Sequence, residues 1–222
     1  MYLANKKQEK HIQLQRWLKY FTYVVITGIV VASIFANLFY VAAIVIIAAG
    51  LFEMLKANFS VVITRIQYVI ISLFSYFLIA FGFWKFAETF NQAFLLFIYF
   101  QVFVFDGFCQ ITGQLIGKHK LASKISSAKT VEGLAGGWIF CIISAIPAAS
   151  WIHKSLFIAI MLGLLTGLTS FTGDVLGSYF KRLVKIKDYS NLLPGQGGFL
   201  DRFGSLMMTG AVYYLLQLVI QF

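Results

Sequence analysis

The stretch Phe90-Asn-Gln-Ala-Phe-Leu-Leu-Phe-Ile-Tyr-Phe100-Gln-Val-Phe-Val-Phe-Asp106-Gly-Phe-Cys-Gln-Ile-Thr-Gly-Gln-Leu-Ile116 has the character of a membrane-spanning helix. A helix that crosses a bilayer needs about 20 predominantly apolar residues, with a range of roughly 17–25. Phe90–Ile116 is long enough and apolar enough. It lacks the apolar/polar alternation of a membrane β-strand, so a barrel is not expected. Working outward, six further runs have the same character, giving seven expected spans: Tyr20–Ala36, Leu38–Leu55, Val61–Trp84, Phe90–Ile116, Leu134–Trp151, Leu156–Gly177 and Phe203–Phe222. The reading is an all-α polytopic membrane protein, because backbone groups in lipid must be bonded within helices.

Composition agrees. The chain is 60% hydrophobic and 12% charged, against roughly 45–50% and about 25% for a soluble domain. A water-facing surface could not be made from this sequence. The 24 Phe and 11 Tyr are expected at lipid-facing and interfacial positions. Cys109 and Cys141 lie in apolar runs without metal spacing and are expected to be free thiols. The first 19 residues are polar and basic, and no cleavable leader is expected.

The formal charge of +10 is unevenly placed. With seven spans, sixteen of the eighteen cations fall on one side: the N-terminal tail, the second connection (Lys56, Arg65), the fourth (Lys118, Lys120, Lys124, Lys129) and the sixth (Lys181, Arg182, Lys185, Lys187, Arg202). Only Lys85 and Lys154 fall on the other. By the positive-inside rule, the N-terminus and these connections are cytoplasmic. Short clusters between spans do not suit nucleic acid, so no nucleic-acid partner is expected. Three regions follow: a basic tail over 1–19, N-terminal spans over 20–105, and a region over 106–222 that carries most of the chemistry.

All four Asp residues lie in that last region. Asp106 sits within an apolar run and Asp174 closes another. A carboxylate at such depth costs about 2.5–3.5 kcal/mol on insertion scales and is functional by default. Glu53 and Glu88, at span ends, are read as interfacial. The fourth and sixth connections mix Lys/Arg, hydroxyls, glycines and carboxylates. Lysines neutralise phosphate oxygens. Glycine-rich turns such as Gly195–Gly198 and helix N-termini offer N–H groups to anions. Magnesium binds through one or two carboxylates plus substrate phosphates. No P-loop is present.

At these residues the sequence resembles the phosphatidate cytidylyltransferase (CDP-diacylglycerol synthase) family. The family's C-terminal signature is matched at Ser178, Phe180, Lys181, Arg182, Lys187, Asp188, Ser190, Leu193, Pro194, Gly197, Gly198, Phe199, Asp201, Arg202 and Phe203, with Gly173-Asp174 leading into it. The fourth connection matches at Ser126, Lys129, Thr130, Glu132 and Gly133. Three positions that bear charge or titrate in the family differ. Gln196 replaces a His, Gly204 replaces an Asp, and Gln114 stands where a basic residue is usual.

The resemblance implies CTP plus phosphatidate, or a similar lipid phosphate, giving CDP-diacylglycerol and pyrophosphate. It further implies Mg²⁺ with or without a second cation, an inner-membrane location with a cytoplasmic site, and a homodimer. On the same footing, Asp174, Asp201 and Asp106 would hold metal. Lys181, Arg182, Asp188 and Arg202 would act in catalysis, and Ser126, Lys129, Thr130, Glu132, Ser178, Lys187, Gly197 and Gly198 would bind substrate. A CTP-dependent polyprenol or phytol kinase is the nearest alternative; a transporter and an inactive paralogue are the others. The transporter's expected paired broken spans are not visible.

Overall fold

The computed structural model describes residues 2–59, 66–122, 126–194 and 196–220. Seven helices account for most of it: α1 (Tyr2–Phe35), α2 (Phe39–Phe59), α3 (Ile66–Thr89), α4 (Gln92–Ile116), α5 (Val131–Ala148), α6 (Leu156–Leu183) and α7 (Phe199–Ile220). Each expected span finds its helix, and the first six are long and apolar enough to cross a membrane. The molecule is an all-α polytopic membrane protein. The start of the third expected span, Val61 to Arg65, lies outside the described residues.

Helix starts follow local chemistry. The side chains of Asn91, Thr130 and Ser155 accept the Phe94, Gly133 and Ile158 N–H groups at the starts of α4, α5 and α6. Such caps satisfy backbone donors that a helix leaves free in its first turn. Several boundaries differ from the sequence reading: α2 runs on to Phe59, α3 to Thr89, and α7 begins at Phe199, so Asp201 and Arg202 are helical and not in the sixth connection. The basic tail is continuous with the first span in one helix, and α6 runs past Gly177 to Leu183. Its 28 residues rise about 42 Å, more than the ~30 Å hydrocarbon core. Lys181 and Arg182 are therefore borne on a helical turn beyond the apolar run, where cations also suit the helix dipole. A small antiparallel hairpin, β1 (Lys120–Ala122) and β2 (Ser126–Thr130), fills the fourth connection. Periodicity gave no sign of it, because the segment is short and polar.

One end of the bundle is closed by aromatic packing. Phe90 stacks on Phe94 at 4.7 Å between ring centroids, Phe86 lies 5.0 Å from Phe90, and Tyr213 meets Phe94 edge-on at 5.6 Å. The other end gathers the last turns of α2, the β-hairpin, the end of α6 and the start of α7. Of the cations with described side chains, Lys85 and Lys154 belong to the aromatic end. Arg65 and Lys124, and the side chains of the first 16 residues, lie outside the described residues. A single apolar core joins helices from both halves of the chain.

Helix packing relies on small residues, as expected where lipid offers no hydrophobic gain for association. Gly136 and Gly137 of α5 sit against Thr112, Cys109 and Phe105 of α4 with no room for a side chain. The α6–α7 contact is held by a polar ladder. Lys181 meets Asp201 (2.6 Å), Asp174 meets Ser205 (2.7 Å), Thr169 meets Thr209 (3.0 Å) and Thr166 meets Tyr213 (3.0 Å). The α7 members are four residues apart and so share one face. Hydrogen bonds at successive rungs fix which residues of α6 oppose which of α7.

Candidate active site

The non-aromatic end brings together carboxylates and cations from four elements. Asp106 of α4 accepts the Ser170 hydroxyl at 2.6 Å. Asp174 of α6 accepts the Ser205 hydroxyl at 2.7 Å, and that hydroxyl is also within reach of Asp106. The two carboxylates are close enough for their charges to interact, and Lys129 acts on both. Its ammonium lies 3.0 Å from Asp174 Oδ2 and 4.7 Å from the Phe171 ring centroid. The Asp174 side chain is 41% exposed, so this cluster opens outward.

The hairpin delivers Lys129 to the cluster. Thr130 caps α5, its hydroxyl accepting the Gly133 N–H at 3.1 Å. Glu132 reaches back to the preceding connection. It accepts the Lys118 N–H at 3.1 Å and the His119 N–H at 3.2 Å, and lies 2.6 Å from His119 Nδ1. Thr130 and Glu132, expected to bind substrate, thus have their polar atoms on the protein. Both act on the shape of the loop that carries Lys129. The Ser126 side chain lies outside the described residues.

A second cluster lies beside the first. Asp201 Oδ1 accepts from Lys181 Nζ at 2.6 Å, while Oδ2 accepts the Tyr189 and Gly198 N–H groups, each at 2.9 Å. The side chains of this pair are only 16% and 5% exposed. Asp201 is therefore committed to three protein donors. Among the described residues, no three His, Cys, Asp or Glu side chains converge on one point. Of the three expected metal ligands, Asp106 and Asp174 are brought together and Asp201 is not. The Asp106–Asp174 pair with its two serine hydroxyls still fits Mg²⁺, which needs few protein carboxylates when phosphates complete its shell.

The signature loop is built around internal anions. Gly197 has φ of +86°, a conformation natural to glycine, and its carbonyl accepts the Leu193 N–H. Gly195 lies outside the described residues. Burial, then the charges of Asp201 and Glu53, push the Tyr189 phenol above its ordinary value, so it stays protonated, and it donates to the Gly177 carbonyl at 3.3 Å. Gln196 is buried; its side-chain amide donates to the Lys19 carbonyl of α1 at 2.9 Å, and its backbone carbonyl accepts from Arg202 Nε at 2.7 Å. Arg202, Arg182, Lys187 and Asp188 are exposed, and Ser178 is partly buried on α6. Arg182 donates to the Ile186 carbonyl at 3.1 Å.

Glu53 corrects the sequence reading. It is fully buried, not interfacial, and it meets the start of α7. Like Asp106, Glu53 interrupts an apolar run, and the cost of charge at depth marks it in the sequence. Glu88 does fit the interfacial reading: its side chain is 51% exposed and pairs with Lys85. Cys109 and Cys141 are free.

A model of the cytidylyltransferase family matches residues 2–220. Among curated relatives, the phosphatidate cytidylyltransferase of Staphylococcus epidermidis (strain ATCC 35984) is 35% identical over 132 residues, covering 58% of this chain and 51% of the relative. That of Staphylococcus aureus (strain COL) is 36% identical over 132 residues, with the same coverage. The uncharacterized protein YnbB of Escherichia coli (strain K12) is 40% identical over 103 residues, covering 46% of this chain and 35% of the relative. The chain spans about half the length, or less, of the curated relatives it matches.

Proposed function

The chain belongs to the cytidylyltransferase family, and from that membership we propose that it transfers CMP from CTP to a lipid phosphate, phosphatidate, giving CDP-diacylglycerol and pyrophosphate. The observation that carries this reading is the convergence of Lys129, Asp106 and Asp174 at one end of a membrane bundle, beside the Lys181–Asp201 pair. That end lies where a lipid headgroup would sit. The cation excess there supports a cytoplasmic-facing site, in a cell's inner membrane.

The chemistry requires little from a general base. A phosphate monoester has a second pKa near 6 and is largely ionised at neutral pH. Its oxygen attacks the α-phosphorus of CTP. The bond from that phosphorus to the β-phosphate bridging oxygen breaks, and pyrophosphate leaves with the electron pair. The difficulty is bringing two anions together, so positioning and charge neutralisation supply the rate. Lys129, Arg182 and Arg202 neutralise phosphate oxygens, with Lys181 poised on Asp201. Asp106 and Asp174 would hold Mg²⁺, which when bound neutralises charge on the triphosphate.

The test incubates labelled CTP and Mg²⁺ in detergent with phosphatidate, and in a parallel reaction with a polyprenol, following both lipid and nucleotide products, with Asp174→Asn as control. Label in lipid with equimolar pyrophosphate is expected. Free CDP with a phosphorylated lipid alcohol would assign the kinase reaction instead, and no labelled or phosphorylated lipid would overturn both.

A further inference from the structure

The Glu53 carboxylate, on α2, is buried at 0% exposure. It accepts the N–H groups of Phe199 and Leu200, each at 2.9 Å, and the hydroxyl of Ser190. Gly198 is shaped to it: a Cβ there would stand 2.6 Å from both Glu53 oxygens. Glu53 and Asp201 together accept from four backbone N–H groups, those of Tyr189, Gly198, Phe199 and Leu200. A helix N-terminus with free N–H groups attracts anions. Here the first turn of α7 is already filled, by a carboxylate from the other half of the chain.

We infer that Glu53 is a positioning residue that acts as a built-in anion, fixing the segments 189–194 and 196–200 so that Lys181, held through Asp201, and Arg202 face the reaction from set positions. The path is short. Glu53 holds Ser190 and the start of α7, and the adjoining Tyr189 and Gly198 N–H groups hold Asp201. Asp201 holds Lys181, and the carbonyl of Gln196 within the same loop holds Arg202. The signature-bearing segment is thus incomplete without α2. The activity part of the claim rests on the proposed reaction; the anchoring part does not.

Glu53→Gln tests it. The amide keeps the size of the carboxylate but must turn an NH₂ group toward protein donors. Preorganised charge acts mainly in the transition state. The expected result is therefore a kcat lowered about 10- to 100-fold, with KM for CTP changed less than about threefold. Hydrogen exchange at the Phe199 and Leu200 amides should quicken at least tenfold while Tyr213 and Tyr214 keep wild-type rates. Glu53→Asp, which retains the charge on a shorter arm, should recover part of kcat. Wild-type kcat and wild-type exchange in Glu53→Gln would overturn the inference. If Glu53→Gln does not fold, Ser190→Ala removes one of the three contacts and should quicken the same amides and lower kcat; an unchanged Ser190→Ala would overturn it equally. Quickened amides in a protein whose wild type transfers no label would overturn the reaction and uphold the anchor.

Discussion

Replacing Asp201 by Asn should be costly to the fold as well as to turnover. One carboxylate oxygen faces the Lys181 ammonium and the other faces two backbone N–H groups. An Asn side chain has one acceptor. If its oxygen turns to the N–H groups, its NH₂ meets an ammonium; if it turns to Lys181, the NH₂ meets two N–H donors. Either way a nearly buried Lys181 loses its counter-charge, since the pair's side chains are only 16% and 5% exposed. Breaking a buried pair from one side costs about 3–5 kcal/mol. At about 2–4 °C per kcal/mol for a chain of this size, the melting temperature in detergent should fall by roughly 6–20 °C. The double variant Lys181→Met with Asp201→Asn leaves no lone charge. It should melt above Asp201→Asn alone, with a coupling of about 2 kcal/mol or more. Thermal melts followed by circular dichroism measure both. An Asp201→Asn protein melting within about 2 °C of wild type would show that the pair contributes little to the fold.

Three further outcomes separate chemistry from stability. Lys129→Ala removes a partly exposed ion pair, so stability should change by less than ~1 kcal/mol while kcat/KM falls about 10²- to 10³-fold, read by melts and label transfer on one preparation. Gly204→Ala should stabilise α7 by about 0.5–1 kcal/mol, because a Cβ there meets nothing within 4 Å; a lowered melting temperature would contradict this. Thr130→Ala removes the α5 cap and should cost about 1 kcal/mol while lowering turnover by loosening the strand that carries Lys129, which exchange at Gly133 would report.

The helices were legible because apolar run length is a direct consequence of bilayer thickness, and all seven runs are interrupted by polar residues. The end of α6 was not. Ser178–Leu183 is polar enough to resemble a loop, yet the helix continues through it, with Lys181 held by Asp201 across the α6–α7 contact. Asp106 and Asp174 were identified by the cost of charge at depth, and the structure does bring them together. Their separation from Asp201 could not be read, since it depends on three donors that meet only after folding. Gly198 shows the same limit. Its sequence suggests room for a phosphate, whereas the space is taken by Glu53 from far along the chain. Gln196, read only as a lost His, instead ties the loop to the Lys19 carbonyl of α1.

Transfer of CMP from CTP to a lipid phosphate at the Asp106–Asp174–Lys129 cluster is tested by paired assays with CTP labelled at its α-phosphate or its γ-phosphate. The α-label should enter the lipid product and the γ-label should leave in pyrophosphate, with α-transfer abolished in Asp174→Asn. Label entering lipid from the γ-phosphate, or α-transfer undiminished in Asp174→Asn, would rule this transfer out.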